Sequence, residues 1–233
     1  MSPRTANPNV PEALLEAARA EFARRGLVGA RVEDVCRRAG VSKGAFYLHF
    51  KSKEDAFRAI LARFLGVLEE YTRARTEQWS RFEHSCGALA AEDFETGSER
   101  FLHARELECD CNRDLLEIFW RNRQILSALD GASGKRYWEL VHDFRQRMSA
   151  FLASSILTGR DTGKYHSDLD PEFVADALVG VYEAFARRMV SLREKPDLAT
   201  WARNLFTLLH QGVLAPPRPA WAERSSRSAG GGS

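Results

Sequence analysis

Ser42, Lys43, Gly44 and Ala45 stand directly after the tight-turn sequence Ala39-Gly40-Val41, and their side chains suit the groove of a nucleic acid. Lys43 offers an ammonium to a phosphate or to guanine, and the small Ala45 can meet a thymine methyl. Gly44 lets a helix approach a sugar–phosphate backbone closely, and the Ser42 hydroxyl can cap a helix and donate to a phosphate. Lys53 adds a charge at the next helix start, and Arg4, Arg31, Arg37 and Arg38 are further phosphate-seeking groups. A second cluster carries different chemistry. Cys109 and Cys111, with Cys86, His84 and His103 nearby in sequence, offer zinc or copper(I) ligands and thiols able to form a sensing disulfide. Residues two apart on a helix point about 200° away from each other. Both thiols face one ion only if the helix breaks, for which Asn112-Arg113-Asp114 is the candidate. The spacing matches no standard zinc motif, so no metal or cofactor is expected; Cys86, Cys109, Cys111 and His103 are the candidate ligands if one is held.

The elements that must position these residues read as helices throughout, because apolar positions recur at three and four residues rather than alternating. The fold class expected is all-α. Pro11 opens a first helix with Leu14, Leu15, Ala18 and Phe22 on one face, ending at Gly26. A short helix covers Val32 to Arg38, Gly40 takes a left-handed turn, and a third helix runs from Lys43 to Phe50. Helix, short glycine-containing turn, helix is the signature of a helix-turn-helix. Ser52 caps a long fourth helix reaching about Trp79. Further helices are expected over Ser98 to Cys109, Arg113 to Leu129 and Lys135 to Leu157, with a polar loop from Thr158 to Asp170. Two closing helices follow, one opened by Asp170-Pro171-Glu172 and one over Asp197 to His210. Residues 1–10 read as a flexible N-terminus and 215–233, rich in Pro, Ser and Gly, as a disordered tail.

The 233 residues, 44% of them hydrophobic, supply a core without disulfides or metal. Residues 1–60 hold eleven Lys/Arg against seven Asp/Glu, an excess of four on a chain whose net charge is +2. A basic head on a mildly acidic body is the charge pattern of a nucleic-acid-binding module joined to a separate domain. No apolar run approaches the roughly 20 residues of a membrane span, and four cysteines in such a chain read as reduced thiols. A cytoplasmic protein with no membrane partner is expected. No glycine-rich phosphate loop, nucleophile elbow or recurrent His or carboxylate pairing is present, so no enzyme is expected.

The segment Val41-Ser42-Lys43-Gly44-Ala45-Phe46-Tyr47-Leu48-His49-Phe50-Lys51-Ser52-Lys53-Glu54 resembles the recognition segment of the TetR family of transcriptional regulators. Phe22, Gly26, Val32, Val35 and the Ala39-Gly40 turn fall where that family's pattern places them, so the resemblance covers residues 11–58. Two departures stand out: Arg31 replaces the usual capping Thr or Ser, and Cys36 the usual Ala. The resemblance implies that Tyr47 and His49 hydrogen-bond phosphates, while Phe46 and Phe50 fix the helix from the core side.

It also implies an organisation. Residues 11–56 form the helix-turn-helix DNA-binding domain and 57–214 an effector-binding and dimerisation domain. The closing helices carry more apolar residues than one face of a small bundle hides, with Ala175, Leu178, Tyr182, Phe185, Met189, Trp201, Leu205 and Leu208 as the expected dimer interface. Phe64, Phe101, His103, Phe119, Trp120, Tyr137, Trp138 and His142 are the expected effector pocket, an aromatic cavity with a few polar groups. The reading is a ligand-responsive homodimeric regulator, a repressor released from a palindromic double-stranded DNA operator by a small-molecule effector. The alternative keeps the fold but senses metal or thiol redox through Cys109 and Cys111.

Overall fold

The computed structural model describes residues 9–87, 89, 91–130, 135–161 and 168–211. Among them the secondary structure is helical, without a strand: α1 (Val10–Gly29), α2 (Val32–Ala39), α3 (Lys43–His49), α4 (Lys53–Cys86), α5 (Ala91–Thr96), α6 (Glu99–Asp130), α7 (Lys135–Asp161), α8 (Pro171–Ser191) and α9 (Leu198–Gln211). The expected flexible N-terminus, the tail and most of the loop after α7 lie outside the described residues.

The head is built as its residues dictate. α1 buries Leu14, Leu15, Ala18 and Phe22, with the Phe22 ring edge-on to Phe57 of α4 at 5.2 Å. Its regular run stops at Gly26, as expected, where φ 67° and ψ 168° kink the backbone, and a short helical stretch follows to Gly29. Arg31 precedes α2 without a side-chain cap, as its replacement of Thr or Ser implies. Gly40 ends α2 at φ 68°, allowing the Val41 amide to reach the Cys36 carbonyl at 3.0 Å. Ser42 then caps α3 by accepting from the Ala45 amide at 3.2 Å. Ser52 caps α4 by accepting from the Asp55 amide, and Asp55 accepts from the Lys51 amide just before the cap.

The chain divides into two compact units, residues 1–69 with 119–194 and residues 70–118 with 195–233. In the first, Phe64 meets Phe119 and Phe144 at 5.9 and 6.0 Å, and Phe119 stacks on Tyr182 at 5.4 Å. Arg19 of α1 donates to the Arg121 carbonyl and the Asn122 side chain of α6, and Arg145 of α7 holds Glu183 of α8. In the second, Tyr71 of α4 donates to the Cys111 carbonyl at 2.8 Å, and Arg75 and Trp79 both hold the buried Glu108 of α6.

Three expected boundaries shift. The break at Asn112-Arg113-Asp114 is absent, because Glu108, Cys111, Asn112 and Leu115 continue one buried face of α6 with no glycine or proline to interrupt it. α4 runs to Cys86, carried past Trp79 by the burial of Phe82. α7 extends to Asp161, four residues into the expected loop. No described helix is long and apolar enough to cross a membrane.

Candidate nucleic-acid interface

The seven residues of α3 divide into two faces. Phe46 is fully buried and Phe50 is buried just beyond the helix end, so the helix is held to the head from one side. Lys43, Gly44, Tyr47, Leu48 and His49 are exposed on the other, with Ser42 exposed at its start. Ala45, expected against a thymine methyl, is half-buried beside Phe46. The Tyr47 ring packs edge-on against Phe46 at 5.4 Å, which orients its hydroxyl away from the core.

Lys43 has a partner. Its ammonium forms an ion pair with the Glu33 carboxylate in the first turn of α2, which holds the ammonium above its ordinary 10.5 and the carboxyl below its ordinary 4.5. Arg31 is exposed beside this pair. Lys53 is placed differently from the sequence expectation. Its Nζ donates to the carbonyls of Val28 and Ala30 at 2.8 and 3.0 Å, tying the start of α4 to the α1–α2 junction. Two carbonyls at the end of α1 thereby gain a donor.

Four further arginines of the head, Arg24, Arg25, Arg37 and Arg38, are organised by two buried carboxylates. Glu21, 3% exposed, accepts from Arg24 at 2.8 Å and Arg38 at 3.0 Å, and both lower its pKa, Arg24 most. Asp34 pairs with Arg25 at 3.3 Å and Arg37 at 2.9 Å. Their heads stay partly in water, so a basic rim is held in place without being sequestered.

Sequence reasoning passed over Leu48, 83% exposed on the same face as Gly44. The signal was available, since residue i+4 of a helix lies over residue i. It also passed over Glu33, whose pairing with Lys43 depends on how α2 crosses α3 and not on spacing.

The body residues expected in an effector pocket fall apart. Phe64 and Phe119 belong to the core of the first unit and Phe101 to that of the second. His103 and His142 are exposed, and Trp120 is half-buried with the Arg123 guanidinium 3.8 Å over its ring. The Tyr137 and Trp138 side chains lie outside the described residues. The second unit instead has an open cleft of about 540 Å³ between α6 and α9, lined by Arg105, Cys109, Arg113, Arg203, Phe206 and Thr207 among others. Cys109 faces this cleft, whereas Cys111 is buried with its thiol 3.3 Å from the Gln78 amide oxygen of α4. The two thiols thus serve different surroundings, as an unbroken helix requires. Among the described residues, no three His, Cys, Asp or Glu side chains are grouped to hold a metal ion.

Of the expected dimer residues, Ala175, Tyr182, Met189 and Leu205 are buried within the chain, where α8 and α9 turn their apolar stripes inward. Leu178, Phe185 and Trp201 are half-buried and Leu208 is exposed. One exposed strip of α8 is apolar and small: Phe173, Ala177, Gly180 and Ala184.

Comparison with known proteins gives this arrangement its context. The family model for bacterial regulatory proteins of the tetR family matches residues 14–60. The HTH-type transcriptional regulator YdgC of Bacillus subtilis (strain 168) is 28% identical over 205 residues, spanning 86% of this chain and 91% of YdgC. The HTH-type transcriptional repressor DhaR of Mycobacterium sp. (strain GP1) is 26% identical over 207 residues, spanning 86% of this chain and 92% of DhaR. A TetR-family transcriptional regulator from Rhodococcus sp. shares the fold with a TM-score of 0.58 at 22% identity, over 90% of this chain and all of that one. The tetR family model covers the head, and along most of its length the chain is similar to helix-turn-helix transcriptional regulators, with an all-helical fold shared with solved structures.

Proposed function

We propose that this chain is a homodimeric repressor that binds a palindromic operator through α3 and releases it when a small molecule enters the helical body. The observation that carries the reading is the division of α3, in which Phe46 and Phe50 anchor one side while Lys43, Tyr47, Leu48 and His49 stand exposed on the other. Ser42, Lys43, Gly44, Tyr47, Leu48 and His49 are the proposed DNA contacts, with Arg31, Arg37 and Arg38 on the flanking phosphates. A helix of seven residues reads only a few base pairs, so specific binding requires two heads on half-sites about 34–36 Å apart.

Dimerisation uses the outward face of α8, where Ala177, Gly180 and Ala184 let a second backbone approach closely. The cleft between α6 and α9 supports a ligand-binding body, its 540 Å³ lying within the range of small-molecule sites. Release follows only if the ligand binds better to a conformation whose heads no longer match successive grooves. The repressor role of DhaR, aligned along most of both chains, supports the sign of regulation.

Selection of binding sites from a duplex library with a randomised core, combined with size-exclusion chromatography, tests this reading. Enrichment of a twofold-symmetric site by a dimer is expected. A protein that enriches no sequence, or binds as a monomer, rules it out.

A further inference from the structure

Glu33 sets a negative charge against the lysine that begins the recognition helix, and this inference rests on the DNA-binding reading above. An acid in the first turn of α2 is favoured by the helix dipole, which accounts for its residue type but not for its contact with Lys43. Surface ion pairs contribute little to stability. The two side chains are 54% and 55% exposed, so the pair stands open to whatever the head docks against. A carboxylate there is repelled by phosphate, and its presence calls for a compensating interaction with DNA.

The major groove offers one. A G·C pair displays the guanine N7 and O6 acceptors beside the cytosine N4 donor. A lysine paired with a glutamate displays the complement, an ammonium donor beside a carboxylate acceptor. Neither partner needs to give up the other to engage the base pair, because the ammonium has three protons and the carboxylate has several lone pairs.

We infer that Glu33 and Lys43 read one G·C pair in each half-site together, Lys43 donating to guanine N7 and O6 and Glu33 accepting from cytosine N4. Glu33 acts in a second way by restraining Lys43 from gripping phosphate on DNA of any sequence. It is a specificity-determining residue: it lowers affinity for wrong DNA as well as favouring one base pair.

The test compares the full-length wild type with Glu33→Ala and Glu33→Gln, using site selection from a randomised duplex library and fluorescence anisotropy on a mixed-sequence duplex across salt concentrations. The wild type is expected to select a G·C pair at one symmetric position. Glu33→Ala should lose that preference while keeping the rest of the site. On the mixed-sequence duplex its affinity should rise about tenfold and its salt dependence steepen by about one unit of slope per head, as a freed lysine adds a phosphate contact. Glu33→Gln retains a carbonyl acceptor and should keep part of the cytosine preference while sharing the stronger non-specific binding. Identical selected sites and unchanged mixed-sequence binding in Glu33→Ala overturn the inference, and so does an A·T pair at the position that relaxes. A wild type that enriches no sequence overturns the DNA-binding reading itself, a result separate from any difference between the variants.

Discussion

The Arg38 guanidinium of α2 donates to the Glu21 carboxylate of α1 at 3.0 Å, in a chain where that carboxylate is already bound by Arg24 and almost wholly buried. Two helices of the head are thereby joined through one acid. Glu21→Gln removes the charge from both contacts and should destabilise the protein by about 1–3 kcal/mol at neutral pH, the range for losing charged hydrogen bonds at a buried group. Because the arginines hold the Glu21 carboxyl below its ordinary 4.5, its stabilisation is fully present above that value and is lost as the pH falls through the folded-state value. Denaturant unfolding should therefore show a gap between wild type and variant at pH 7 that narrows below about pH 4.5. A gap that widens on acidification would contradict this account.

Leu48 is 83% exposed, so its truncation should change stability little. Leu48→Ala is expected to unfold at the wild-type temperature and to bind the selected operator about tenfold more weakly, as the loss of a leucine side chain buried against DNA, about 1.5–3 kcal/mol when complete, implies. Unaltered affinity in anisotropy would remove Leu48 from the interface.

Ser42 acts through α3 itself. Ser42→Ala deletes the acceptor for the Ala45 amide and should cost about 1 kcal/mol of stability. Ser42→Asp restores an N-cap while adding charge near phosphate. The aspartate variant should recover thermal stability without recovering operator affinity. Recovery of both would reduce Ser42 to a cap alone.

Gly180 lies on an open face of α8, and among the described residues a Cβ placed there meets nothing within 4 Å beyond its own stretch of helix. Gly180→Glu should leave the protomer folded, with the helix slightly stabilised by the loss of glycine. On size exclusion it should elute as a monomer where the wild type elutes as a dimer. A dimeric Gly180→Glu protein would move the interface elsewhere.

Cys109 opens into the α6–α9 cleft, but burial pushes its thiol above the ordinary 9.0 despite the opposing charge of Arg105. A raised thiol carries less thiolate at neutral pH. Iodoacetamide labelling followed by mass spectrometry should find Cys109 slow at neutral pH and faster as the pH passes 9.0, with Cys36 and Cys111 protected throughout by burial. Rapid labelling of Cys109 at neutral pH would revive a redox-sensing role.

The head was legible because local rules govern it. The apolar period, the Gly40 turn and the Ser42 cap each act within a few residues, and each is present in the structure. The body was less so, for two reasons. An apolar stripe on α8 reads the same whether it faces its own core or a partner, and Ala175, Tyr182 and Met189 proved to face the core. Aromatic residues crowd the central helices, but which of them share a cavity depends on how distant helices cross, so Phe64 and Phe101 could not be separated by sequence. Lys53 and Glu33 escaped for the same reason, their partners lying 25 and 10 positions away.

Gly26 and Gly40 hold positive φ with empty space where a Cβ would stand, so what excludes other residues is handedness and not crowding. In a scan of all substitutions these two positions should rank among the intolerant sites of the head despite their open surroundings, with asparagine the mildest replacement at Gly40, whose ψ of 28° is left-handed helical, and none mild at Gly26, whose ψ of 168° lies in a region kept to glycine. A mirror-image residue reverses the preference. D-alanine, introduced by chemical synthesis, favours positive φ and should be accepted at both positions where L-alanine is strained.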